Sequence, residues 1–177
     1  MFNDPSEAIR LFELESGMNV ADLGCGAGSY SIPAAKAVRP DGVVYAVDVQ
    51  KDLLSKLKNN LANEHISNIE VIWGDLEKIG GTKLRDFSAD AVIVANVLFQ
   101  VEDKKTFALE VKRILKTGGK LLVIDWTDSF GGLGPHSGSV FSSSQARVLF
   151  EENNFFLERE VSAGDHHYGL VFRSKKL

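Results

Sequence analysis

A single cysteine in 177 residues leaves no partner for an internal disulfide and no thiolate set for a zinc cluster. The chain also lacks any apolar run long enough to cross a bilayer. Its start, Met1-Phe2-Asn3-Asp4-Pro5-Ser6-Glu7, has neither the basic segment nor the apolar segment of a secretory signal. Together these absences set the expectation of a cytoplasmic protein with no membrane partner. Positive charge is not in excess either: the net charge is −4, whereas non-specific nucleic-acid binding draws on surplus Lys and Arg. Lysines 51, 56, 58, 104, 105, 112, 116, 175 and 176 are scattered among acids and read as the solvated faces of helices. No repeat, low-complexity tract or linker divides the sequence, and 44% hydrophobic with 25% charged residues excludes a disordered or fibrous chain. One domain spanning residues 1–177 is expected.

What is present is a strand that opens into glycine. Val20-Ala21-Asp22-Leu23 runs into Gly24-Cys25-Gly26-Ala27-Gly28-Ser29, three glycines at alternate positions. Glycine admits positive φ and a close ligand, and a helix starting near Ser29 to Ser31 would direct free N–H groups at it. A second apolar strand, Val43 to Val47, ends in Asp48, twenty positions after Gly28, where α/β folds place the carboxylate that grips ribose hydroxyls. A nucleotide-type cofactor site follows. The dinucleotide fingerprint wants a third small residue, but Ser29 or Ser31 stands there in either register. A P-loop would need a lysine that this turn does not have.

Asp22-Leu23-Gly24-Cys25-Gly26-Ala27-Gly28 resembles the first motif of class I S-adenosylmethionine (SAM) methyltransferases. The likeness extends along nearly the whole chain. A third strand, Ile69 to Trp73, leads into Gly74-Asp75-Leu76, where the resemblance implies that the acid accepts from the adenine amino group and the next N–H donates to the ring. A fourth, Asp90 to Phe99, is apolar enough to be buried on both faces, with Asn96 emerging at its carboxyl end. Leu115 to Val123 resembles the family's helix-turn-strand segment, with Thr117 in place of its usual proline. The strand-five end Ile124-Asp125-Trp126 and the segment Tyr168-Gly169-Leu170-Val171 look most like the small-molecule branch related to ubiquinone and menaquinone biosynthesis (methyltransferase types 11 and 25).

Helices are expected between these strands. Asp4-Pro5-Ser6-Glu7 reads as an N-cap, an N1 proline and a capping-box acid, opening a helix that carries Ile9, Leu11, Phe12 and Leu14 and stops before Gly17. Within segment 1–16 this helix either covers a core edge or forms a lid. Lys51 to Glu64 has an apolar stripe at Leu53, Leu54, Leu57 and Leu61. Lys104 to Leu115 should bury Phe107, Leu109, Val111, Ile114 and Leu115 and end in a Gly118-Gly119 C-cap. Ser142 to Gln145 repeats a capping-box pattern, and Phe155 to Val161 with Tyr168 to Arg173 forms a closing hairpin. Strand-helix units followed by a hairpin make the fold class α/β, and the resemblance implies a Rossmann-like, doubly wound seven-stranded sheet of order 3-2-1-4-5-7-6 with strand 7 antiparallel, an arrangement to which right-handed crossovers leave few alternatives.

The resemblance implies SAM as cofactor, held by Asp22, Gly24, Gly26, Gly28, Asp48, Val49, Asp75, Leu76 and Asn96, and transfer of its methyl to a small-molecule acceptor. Asn96-Val97-Leu98-Phe99 lacks the Pro-Pro-aromatic motif of amine-directed nucleic-acid enzymes, and Cys25 is on the wrong loop for a cytosine-C5 nucleophile. Phe99, Trp126, the loop from Gly131 to Gly138 and the hairpin turn are expected to wall the acceptor site, with His166 or His167, assisted by Tyr168, as its base. The alternative is a SAM-binding protein without catalysis, acting as a sensor or partner subunit.

Overall fold

The computed structural model describes residues 4–130, 132 and 134–176. Of the expected acceptor-site loop, Gly131 therefore lies outside the described residues, as does Leu133. The chain begins with α1 (Pro5–Phe12), β1 (Asn19–Leu23), α2 (Ser31–Ala37), β2 (Val43–Asp48), α3 (Lys51–Asn63) and β3 (Ile69–Trp73). It continues with β4 (Ala89–Ala95), α4 (Lys104–Ile114), β5 (Leu115–Trp126), α5 (Ser143–Glu152), β6 (Phe155–Ser162) and β7 (His167–Ser174). The sheet runs β3-β2-β1-β4-β5-β7-β6. β1 to β5 are parallel and β7 is antiparallel to both β5 and β6, the expected order. Trp126 pairs with His167, so the β6–β7 turn emerges at the carboxyl edge of the parallel strands.

Strand alternation sends successive side chains to opposite faces, and each face carries its own core. Val20, Val44, Ala46, Ile93, Ile124 and Val171 pack with α1, α2 and α3. Ala21, Leu23, Val92, Val123, Leu170 and Phe172 pack with α4 and α5. α3 buries Leu54, Leu57 and Leu61 as its stripe requires, each such side chain contributing roughly 1.5–3 kcal/mol. α1 sets Ala8, Ile9 and Phe12 into the first core.

Four local expectations are not met. Glu7 does not complete a capping box: its carboxylate takes Arg10 Nε at 2.7 Å and the Arg10 terminal nitrogen at 2.6 Å, and Asp4 alone caps α1 through Ser6 N. α4 has no glycine C-cap, because Leu115 already has extended backbone and passes straight into β5. Gly118, with φ 75°, instead turns the irregular stretch of β5 where the register slips against β4. Leu109 is 42% exposed whereas Glu110 is fully buried, since the outer side of α4 faces solvent and the flank carrying Glu110 meets a polar loop. Lys112 is not on a solvated face: it is buried, with Nζ donating to Ser174 Oγ at 2.5 Å and to the Lys175 carbonyl at 2.7 Å.

Candidate functional site

At the carboxyl end of β1 the chain bends through Gly24 (φ 77°), Gly26 (φ 53°) and Gly28 (φ 97°) before α2 begins. A Cβ on Gly24 would run into Val97 and one on Gly28 into Leu57, while Gly26 faces open space. Two glycines are thus fixed by packing, and the middle one leaves a gap beside the turn. Gly28→Ala is expected to lower stability by about 1–3 kcal/mol, from left-handed strain and the Leu57 collision together; denaturant midpoints measure it, and a midpoint equal to the parent's would contradict the packing described.

Asp48 fastens this turn to the end of β2. Its Oδ2 accepts from Gly26 N at 2.9 Å and its Oδ1 from Gln50 N at 2.8 Å, leaving lone pairs on both oxygens for a ligand. Asp75 follows β3. Its Oδ1 accepts from Glu77 N at 3.0 Å and its Oδ2 pairs with Lys78 at 2.8 Å, and the Lys78 ammonium beside it holds the carboxyl below the ordinary range. Asn96, at φ 58°, ends β4, with N–H donating to the Ile124 carbonyl at 2.8 Å. Its side-chain oxygen is buried with no partner among the described residues, and an unmet buried acceptor costs ~1–3 kcal/mol.

These ends converge. Gly24, Asp48, Val49, Asp75, Leu76 and Asn96 line one cleft of about 220 Å³, which lies where strand order reverses between β1 and β4, the position at which open α/β sheets bind ligands. Gln50, Glu77, Val97, Gln100 and Val101 complete its wall and were missed by sequence reasoning. Gln50 carried a weak signal, standing two residues after the ribose acid; the others are brought in by the tertiary fold. Asp48, Asp75 and Glu77 make the wall acidic, and among the described residues no lysine or arginine lines it. A cationic ligand with ribose-like hydroxyls fits such a wall, and a pyrophosphate does not.

Asp22, Gly26 and Gly28 do not line the cleft. Asp22 lies beneath the turn, 2% exposed, accepting from Ser31 Oγ at 2.5 Å. Burial, opposed by the Ser31 hydrogen bonds and joined by the nearby Asp48 charge, pushes its pKa up to about 7. It braces the glycine turn against α2 from below. Cys25 is buried beside it, and burial together with the charges of Asp22 and Asp48 pushes its thiol upward, which makes it a poor nucleophile.

The residues expected to border an acceptor fall at the other end of the strand edge. His167 pairs with Trp126 across β7 and β5, their ring centroids 4.2 Å apart. Its ring is buried, both nitrogens lack a partner among the described residues, and burial and the His166 charge lower its pKa. It is held as neutral imidazole. His166 is engaged elsewhere: Nδ1 meets Asp128 at 3.1 Å and the ring stacks on Phe130 at 3.9 Å. Gly134 presses on the Trp126 ring, where a Cβ would lie 2.7 Å away. The pairing of Tyr168 with the histidines is corrected: Tyr168 faces the α4–α5 core and donates its hydroxyl to the Phe141 carbonyl at 2.9 Å, because neighbours on a strand point to opposite faces. Phe99 does not line the cleft either. Asp125, also turned to that core, takes Leu98 N at 2.8 Å and Trp126 N at 2.8 Å. Burial raises its pKa to about 6 against those backbone donors.

Sheet order, glycine turn and cleft position together define a Rossmann-like class I methyltransferase fold. A family model described as "Methyltransferase domain" matches residues 14–160, and the chain belongs to that family. Its fold superposes on the crystal structure of a SAM dependent methyltransferase from Aquifex aeolicus with a TM-score of 0.87 and 28% identity, covering 97% of this chain and 90% of that one. It is 30% identical to a demethylmenaquinone methyltransferase of Listeria monocytogenes over 67% of this chain and 49% of that protein. It is 34% identical to an arsenite methyltransferase of Halobacterium salinarum over 62% of this chain and 27% of that protein. The chain thus spans about half the length of the first of these relatives and less of the second. Among the described residues no helix is long and apolar enough to cross a membrane.

Proposed function

We propose that this chain is a SAM-dependent methyltransferase acting on a small organic acceptor in the cytoplasm. The observation that carries the reading is the acidic wall at the strand-order switch, formed by Gly24, Asp48, Asp75 and Asn96 and lined by no lysine or arginine among the described residues. In it Asp48 holds the ribose hydroxyls, Asp75 accepts from the adenine amino group, Val49 and Leu76 pack on the ring, and Asn96 offers its unpaired oxygen to the ammonium end. Bound SAM would supply an activated methyl on a sulfonium, so the protein's share is alignment, worth up to ~7–11 kcal/mol, and removal of a proton where the acceptor requires it. His167, neutral and with no partner among the described residues, is the group suited to hold or take that proton. His166, bonded to Asp128, is not.

The two named relatives act on different acceptors, and one observation separates them. Arsenite is a soft centre that thiolates bind, whereas this chain has one cysteine, buried in the glycine turn with its thiol pushed up. The Trp126–His167 pair instead favours a partly apolar organic molecule, and the net charge of −4 disfavours nucleic acid. Incubating the protein and methyl-labelled SAM with a metabolite extract tests the reading. Label in a small organic product is expected; tight SAM binding with no transfer to any acceptor would make the protein a non-catalytic SAM binder. Once the acceptor is known, His167→Ala at saturating SAM should lower turnover or raise acceptor KM by about 100-fold with SAM affinity unchanged. Parental values for both would remove the histidine from the mechanism.

A further inference from the structure

Glu110 lies on α4, outside the cleft wall, yet its carboxylate is fully buried and saturated with donors. Oε2 accepts from Gly80 N at 2.8 Å and Arg113 Nε at 2.7 Å. Oε1 accepts from Thr82 Oγ1 at 2.6 Å, Thr82 N at 3.2 Å and a terminal Arg113 nitrogen at 2.7 Å. Arg113 is itself fixed by the Leu84 carbonyl at 2.9 Å and Asp86 at 2.6 Å. A buried charge is tolerated when every lone pair is used; this one is shared between Arg113 on the same helix and Gly80 and Thr82 of the segment that follows Asp75.

That segment has little regular structure of its own. Gly81, between the two residues Glu110 grips, accepts from Asp75 N at 3.0 Å and donates to the Lys78 carbonyl at 2.8 Å. Any Cβ on Gly81 would collide with the Asp75 carbonyl, so the loop closes on Asp75 without slack. The other side is tied to the same helix, because Glu77 Oε1 accepts from Glu102 N at 2.7 Å and Asp103 N at 2.6 Å, just ahead of α4. A backbone chain therefore runs from Glu110 through Gly80–Thr82 to Asp75.

We infer that Glu110 is a positioning residue for base recognition: by clamping Gly80 and Thr82 it sets the Asp75 carboxylate where it selects a 6-amino purine. The inference rests on the SAM reading above, and its experiment separates the two. Dissociation constants are measured by calorimetry for S-adenosylhomocysteine and for its inosyl counterpart, in which an oxo group replaces the adenine amino group. A hydrogen bond to a charged acceptor is worth about 10-fold or more in affinity, so the parent is expected to prefer the adenosyl ligand by at least about 10-fold. Asp75→Asn should bring that preference to within about threefold. Glu110→Gln turns an amide N–H₂ toward groups that are all donors, and should do the same without adding to the effect of Asp75→Asn in the double variant.

Thr82→Val, which removes one hydroxyl from the clamp at nearly constant volume, should lower the preference part of the way and serves if Glu110→Gln does not fold. A merely structural Glu110 would weaken both ligands alike, or only lower the melting temperature. An unchanged ratio of the two constants in Glu110→Gln, or in Thr82→Val where that variant has to stand in, overturns the inference. A parent that binds neither ligand overturns the SAM reading itself, and a parent that does not distinguish them overturns the role of Asp75.

Discussion

Asp48→Ala is expected to weaken SAM binding by about 10- to 150-fold, the equivalent of losing ~1.5–3 kcal/mol of hydrogen bonding to a charged acceptor. Two losses combine in this variant. The lone pairs available to ribose hydroxyls disappear, and so does the bond that ties Gly26 N to the end of β2. Asp48→Asn separates them, since an amide oxygen can still accept from one backbone donor while the charge is gone. It should fall between parent and Asp48→Ala. Calorimetry decides: unchanged SAM affinity in Asp48→Ala, or tighter binding of NADH than of SAM by the parent, would remove the cofactor assignment.

Asp22→Asn should flatten the pH dependence of stability. In the folded protein Asp22 titrates at about 7, against ~3.9 in an unfolded chain. Between those values the folded state holds a proton that the unfolded state has released, so stability falls as pH rises through the window and levels off above about 7. A displacement of roughly three units corresponds to on the order of 4 kcal/mol across it. Asp125, raised to about 6, adds a slope of the same sign in the lower part of the window, and this slope persists in the variant. Urea midpoints at pH 5 and pH 8 are the measurement. The parent should lose more stability between them than Asp22→Asn does. Equal losses would mean that Asp22 is not held protonated beneath the turn.

Much of this was legible because the signals are local. Three alternating glycines after an apolar strand admit few backbones, and an acid at the end of each of the next two parallel strands, Asp48 and Asp75, must emerge at the same edge as the turn. Right-handed crossovers then leave few sheet orders, and the family resemblance picks out one of them. The sequence, read with that resemblance, thus determined the fold class and the edge at which a ligand sits. It did not determine which motif residues face that ligand. Asp22 and Gly24 are two positions apart, yet the acid points into the α2 side of the core and the glycine onto the cleft, because the strand ends between them and the left-handed turn redirects the chain.

Apolar periodicity likewise misassigned α4, where Leu109 is exposed and Glu110 buried. Periodicity records how hydrophobic a side chain is and carries no record of a polar loop 28–30 residues earlier in the chain that can saturate a carboxylate. The same limit hid Glu77 and Gln100, which reach the cleft only after β3 and β4 are brought to either side of the β1–β2 pair. It also hid which of the neighbours His167 and Tyr168 faces the α4–α5 core, which β7 fixes by its register against β5. Spacing along the chain determined the turn and the strand ends, and only tertiary packing decided which side chains are aimed at the cleft and which hold those side chains in place.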